Sequence, residues 1–202
     1  DKVLYFRAKF LGYSLPNGNG DAVPAIYAST FGPSFIGKIL DVNHLTDPEH
    51  IIGKILTTFH VEQPLTLSAE DERIIGKNVL EGLEDVEANE LQLEGICMID
   101  RTTVLGDDIA KKLISGVLTM VSQEASTEYA ECSVCDHRID SPYSGICGHL
   151  DMGSLMVKAY PREGRKHKVL AYKVHHNPVG TGLGIVTVGA YAKADVMELV
   201  AN

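Results

Sequence analysis

IIGKILTTFHV, residues 51–61, is the stretch on which the fold turns. Its β-branched residues fit a pleated, half-buried surface, so it reads as a strand. Working outward, VLYFRAKFLG (residues 3–12) and residues 91–103 and 117–125 read the same way, and residues 35–42 are apolar enough for a strand or a buried segment. Residues 155–160, 169–176 and 183–191 add three more strands, joined by Gly-rich or charged turns. SLPNGNGD (residues 14–21) is dense in turn formers and reads as a loop. Helices fall irregularly among the strands. One covers residues 22–30 and is broken at Gly32-Pro33; one is capped by Ser68 and runs over residues 72–83. Another opens at Asp107 and Asp108, whose charges suit the helix dipole, and ends at Gly116; the last covers residues 193–200. Regular βα alternation is missing, which argues against a doubly wound sheet. The expectation is an α+β fold: a mostly antiparallel, barrel-like sheet with flanking helices, in one domain over residues 1–202.

The chain carries a net charge of −9. An acidic chain is poorly suited to bind phosphate backbones by bulk charge, so nucleic acid is not the expected partner. No apolar run approaches the roughly 20 residues of a membrane-spanning helix. The start, DKVLYF, has no signal-peptide apolar region. It begins with Asp1 and not Met, which leaves a processed chain and a piece of a longer one both open.

CSVCDHRIDSPYSGICGHL, residues 132–150, packs three of the four cysteines and two histidines together. Cys132 and Cys135 have the C-x-x-C spacing that lets two thiolates grip one ion from a tight turn. With Cys147 and His149 they make a tetrahedral set of three sulfurs and one nitrogen for Zn2+, and His137 is the alternative to His149. Four protein ligands leave no position for water, so the zinc is expected to be structural, stapling an insertion over residues 131–151. Cys97 stands alone in an apolar run, residues 93–99, and reads as a small buried hydrophobe.

Two further stretches carry nucleophile chemistry. LDVNHLTDPEHIIGKI (residues 40–55) places His44 in a polar turn before a strand, and TMVSQEASTEY (residues 119–129) places Ser122 on one. A serine becomes a nucleophile when a base takes its proton, and histidine is the usual base. The G-x-S-x-G elbow of hydrolases is not present here. Ser122, Glu124 and Ser126 stand at even offsets and so share a strand face, which makes Ser126 a second candidate. GTGLG, residues 180–184, lacks the G-x-G-x-x-G spacing and a following helix and reads as a turn.

Val42-Asn43-His44, Ile52-Gly53-Lys54-Ile55 and Ser122-Gln123-Glu124-Ala125, in this order, resemble the prohead (capsid maturation) proteases of tailed bacteriophages, whose fold is shared with the herpesvirus assemblins. In those families a histidine precedes an I-G-[KR]-[IV] strand and the nucleophilic serine lies on a later strand, often in an S-[MI]-[GE]-[AFC] context. The C-x-x-C…C-x-H-L insert after the serine is similar to that of some large-phage members. The resemblance spans about residues 4–191 and departs at Gln123, where Met or Ile is more usual. It implies a serine endopeptidase with Ser122 as nucleophile and His44 as base. Its substrates would be scaffold and capsid-protein extensions inside an assembling head, in the host cytoplasm. The third member of the triad stays open among His137, His149, His175, His176, Asp21 and Asp151, and assembly with further copies of the chain is open too. Two other readings fit the residues: a catalytically silent virion protein with a protease-like fold, and an unrelated zinc-knuckle binding module.

Overall fold

The computed structural model describes residues 2–13, 16–65, 89–141, 145–150, 159–161, 163, 168–189 and 194–200. The expected helix over residues 72–83, its cap Ser68, and Asp151 lie outside the described residues.

The chain is mostly sheet with two α-helices among the described residues. The strands are β1 (Val3–Gly12), β2 (Asp21–Ala22), β3 (Ile39–Val42), β4 (Ile51–Pro64), β5 (Asn89–Asp100), β6 (Met120–Ser126), β7 (Tyr129–Cys132), β8 (Arg138–Ile139), β9 (Ala159–Tyr160), β10 (Val169–Leu170), β11 (Lys173–His176), β12 (Val179–Val186) and β13 (Val196–Val200). A seven-stranded sheet runs in the order β13-β1-β5-β4-β3-β12-β6. Every pair in it is antiparallel except β12 with β3, which is parallel. The described residues also form a four-stranded sheet, β2-β11-β7-β8, and a small β9-β10 pair.

The expected α+β, mostly antiparallel architecture is present, but the barrel is not closed. Among the described residues the two sheet edges meet at an isolated bridge, Met120 to Asp195, and not along a continuous ladder. Flanking it, Val121 N–H donates to Ala194 O and Val196 N–H to Thr119 O. Residues 196–200, expected as helix, form β13. The edge of β1 pairs with this segment from Tyr5 to Ala8, and pairing overrides local propensity.

The core lies where Phe6, Ala8 and Phe10 of β1 alternate inward against Leu93, Cys97 and Ile99 of β5. Cys97 is fully buried, as its apolar surroundings predict, and burial pushes its thiol well above the ordinary range. α1 (Ala28–Ser34) adds Phe31 to this core, and Phe35 just beyond it stacks edge-on against Phe10 and Phe31. The helix continues through Gly32 and Pro33, where a break was expected; Thr58 Oγ1 donates to Gly32 O at 2.9 Å and fixes that turn to β4. α2 (Val104–Ile114) starts three residues before Asp107 because Thr103 is the cap, its Oγ1 accepting from Gly106 N–H at 3.1 Å. Gly116, at φ +72°, follows its end as expected.

Gly53, in the I-G-K-I segment, is required by packing. A Cβ there would lie 1.8 Å from the carbonyl oxygen of Met98 on the neighbouring strand. Backbone cannot move out of the way as a side chain can. Gly53→Ala is therefore expected to destabilise the protein by about 2–4 kcal/mol, read as a lower urea midpoint; an unchanged midpoint would contradict the close approach.

Candidate functional site

β3, β12 and β6 lie side by side, and their register builds the site. Asp41 pairs with Gly184 and Gly184 with Ser122; in the next row Ile39 pairs with Gly182 and Gly182 with Glu124. Residues opposite one another in register present their side chains to the same face, and so do residues two apart on a strand. Asp41, Ser122 and Glu124 therefore share one face. The middle strand contributes only glycine to these rows, which leaves a trough. GTGLG, expected as a turn, is this middle strand.

His44 lies over the trough. A Cβ on Gly184 would sit 2.9 Å from His44 Nδ1, 3.0 Å from its Cε1 and 3.3 Å from Asp41 Oδ1. The turn that presents His44 is strained: Asn43 and His44 have φ of 56° and 61°. Asparagine tolerates this left-handed conformation, whereas histidine pays for it by on the order of 1 kcal/mol. Asn43 N–H donates to Ile185 O at 3.1 Å and pins the turn to β12. Strain held in place beside a cleft is a frequent mark of a functional residue.

His44 Nδ1 is 2.7 Å from Glu124 Oε1. Asp41 is fully buried, and neither of its carboxylate oxygens has a hydrogen-bond donor. Burial, then the neighbouring carboxylate of Glu124, push the Asp41 carboxyl up to about 7, with His44 opposing them. Two carboxyl groups in contact need a proton between them. Protonated Asp41 can donate to Glu124, which in turn holds His44. Ser122 lines the same cleft of about 470 Å³ as His44 and Glu124. Among the described residues no hydrogen bond joins His44 to Ser122. Ser126 lines the cleft as well, two residues beyond Glu124.

The raised Asp41 carboxyl has a consequence for stability. A group whose folded value lies above its unfolded one contributes stability that is present below the unfolded value, near 3.8, and lost as pH rises through about 7. Asn at this position donates an amide to Glu124 at every pH. Asp41→Asn is thus expected to exceed wild type by about 1–3 kcal/mol at about pH 8, with a smaller gap at about pH 5. Urea denaturation at the two pH values measures this, and a gap independent of pH would contradict it.

The other candidates for a third triad member are engaged elsewhere. His175 Nε2 is 2.9 Å from Asp21 Oδ1, and Lys173 Nζ is 2.6 Å from the same oxygen. Burial pushes Asp21 up, and the hydrogen bonds from His175 and Lys173 outweigh it, holding the carboxyl below its ordinary value. His176 contacts Tyr27 Oη at 3.0 Å and Glu131 Oε2 at 3.1 Å and stacks on Tyr129. Asp21 and His175 do line the cleft, but neither forms a hydrogen bond or ion pair with His44. The residues that sequence reasoning passed over are Asp41 and, as the partner of His44, Glu124. A lone carboxylate inside the apolar segment ILDV was the available signal for the first.

The cysteine cluster forms where β7 turns into β8. Donor atoms of Cys132, Cys135, Cys147 and His149 all lie within 4.8 Å of one another. Cys147 Sγ is 3.8 Å from His149 Nδ1. Val134 N–H donates to Cys132 Sγ at 3.4 Å, the kind of backbone support a ligating thiolate receives. Asp136, at φ 54°, makes the tight turn, and its N–H donates to Cys132 O. His137 spends its ring on Gly145 O at 2.9 Å and stands outside the cluster, so of the two histidines it is His149 that joins the cysteines. Burial pushes the Cys132 thiol up to about 11. For Cys147 burial acts upward too, but the His149 backbone N–H, the thiols of Cys132 and Cys135 and the His149 ring more than offset it, bringing it down to about 7. This donor set fits a soft, tetrahedral metal ion.

The cluster is also coupled to the trough. β7 follows β6 after two residues, and β11, paired to β7, leads into β12. The knuckle thus anchors the two strands that carry Ser122, Glu124 and the glycine floor. No family model, curated protein or solved structure matches the chain.

Proposed function

We propose that the chain is a serine endopeptidase of the prohead-protease type, with Ser122 as nucleophile, His44 as base and Glu124 as the acid that orients it. The observation that carries this reading is the 2.7 Å contact of His44 Nδ1 with Glu124, on the sheet face and in the cleft that Ser122 shares. With Nδ1–H donating to Glu124, Nε2 is the basic nitrogen. It takes the Ser122 proton as Oγ attacks the scissile carbonyl and returns it to the leaving amine. Hydrogen bonds of this kind tighten when substrate binds. Asp41 acts through Glu124 as a positioning residue. Zn2+ at Cys132, Cys135, Cys147 and His149 has the structural role of fixing β7 and β11. The substrates are the scaffold and capsid proteins of an assembling phage head, and the chain acts inside the prohead.

Gly184→Ala tests the geometry without removing a functional group. The new Cβ would push on the His44 ring, whose side chain is 39% exposed and can give way. Stability is expected to change by less than about 1 kcal/mol, while the catalysed rate falls roughly 10- to 100-fold. A full-rate variant would contradict the placement of His44. Substrate class is tested by co-expressing the chain with a phage scaffold protein and a major capsid protein. Truncated products are expected with wild type and not with Ser122→Ala. Identical products from both would overturn the assignment.

A second reading is a silent virion protein that keeps this fold. The observation in its favour is that the hydrogen bond of His44 goes to Glu124 and none goes to Ser122.

A further inference from the structure

The buried Asp41 poses a problem that the triad does not exhaust. Two carboxylates, Asp41 and Glu124, face one another beneath one imidazole, and donor atoms of all three lie within 4.8 Å of each other. Asp41 is fully buried with both oxygens lacking a donor. Among the described residues no Lys or Arg pairs with either carboxylate; the ion-pair partner of Glu124 is His44. A buried pair of this kind needs a positive charge, which can be a proton or a metal cation. Gly182 and Gly184 put no side chain between the three ligands: a Cβ on Gly184 would lie 2.9 Å from His44 Nδ1 and 3.3 Å from Asp41 Oδ1, and one on Gly182 would lie 3.2 Å from Glu124 Oε2.

We infer that Asp41, His44 and Glu124 form a second metal site, for a divalent first-row transition cation. One imidazole with two carboxylates selects such an ion over Mg2+ or Ca2+, which take oxygen alone. It differs from the cysteine cluster in having no sulfur and in leaving coordination positions for water. Neighbouring ligands on a tetrahedral ion of this size stand about 3.3 Å apart. The 2.7 Å contact of His44 with Glu124 therefore opens by about half an ångström when the ion enters. His44, half-exposed on its turn, supplies that movement. The ion and the catalytic hydrogen bond compete for the same atoms, so occupation takes His44 away from Ser122 and inhibits. The site stands on geometry alone, whereas the inhibitory consequence rests on the protease reading above.

Co2+ titration of the full chain, with the cysteine cluster already loaded with zinc, tests this. Wild type is expected to bind one further equivalent of Co2+, with weak visible absorption and no thiolate charge-transfer band. Asp41→Asn and Glu124→Gln are each expected to weaken binding at least about 10-fold with unchanged circular dichroism. Glu124→Gln decides the matter if Asp41→Asn does not fold. No further equivalent, equal binding by both variants, or a thiolate band would overturn the site. If Co2+ binds as described but Ser122 is inert to phosphonate probes, the protease reading falls and the metal site stands. If Ser122 reacts and Co2+ neither binds nor slows it, the metal site falls alone.

Discussion

Glu124→Gln is expected to slow the reaction of Ser122 with a phosphonate probe by roughly 10³- to 10⁴-fold while the fold is kept. The reason lies in the tautomer. Glu124 accepts from His44 Nδ1 at 2.7 Å, which puts the lone pair on Nε2. A glutamine amide donates at the same place and reverses this arrangement, so Nε2 carries the proton and cannot accept one from Ser122. Glu124 is partly exposed near the end of β6, so exchange for an isosteric amide costs little packing. Labelling rates measured beside circular dichroism separate the two effects. A variant that labels within about threefold of wild type would remove Glu124 from the relay.

Loss of the cysteine cluster is expected to have the second largest effect. Among the described residues the apolar core around it is small: Cys132, Val134 and Ala171, with Cys147, Leu150 and Tyr160 packed against them. Strands β8, β9 and β10 are two residues each. Hydrophobic burial on this scale cannot hold a module together, and a structural ion supplies several kcal/mol or more. Cys132→Ser, or prolonged chelation, should remove stoichiometric zinc and lower the melting temperature by roughly 10 °C or more. Because β11 and β7 anchor β12 and β6, reactivity of Ser122 should fall with it. Purified protein without zinc, or melting indifferent to the chelator, would contradict the structural role.

Much of this was legible in the sequence where one physical signal dominates. Residues 51–61 and 3–12 read as strands because β-branched and aromatic residues fill them, and they are strands. The cluster of Cys132, Cys135, Cys147 and His149 was visible in its spacing, and only the choice between His137 and His149 needed the hydrogen bond to Gly145. What the sequence hid is what register decides. GTGLG has the composition of a turn, yet it is a central strand, and its glycines leave room for His44 and Glu124 to lie over it. Asp41 and Glu124 are 83 positions apart in the chain and meet only because β3 and β6 flank the same strand. Residues 196–200 became a strand through pairing with β1, a long-range contact that local propensity cannot see.

Mass-spectrometric mapping of a fluorophosphonate adduct tests the Ser122–His44–Glu124 relay most directly. The folded, zinc-loaded chain is expected to carry one adduct, on Ser122, and to lose it in His44→Ala as in Ser122→Ala. An adduct on Ser126, labelling that survives His44→Ala, or no adduct at all would contradict it.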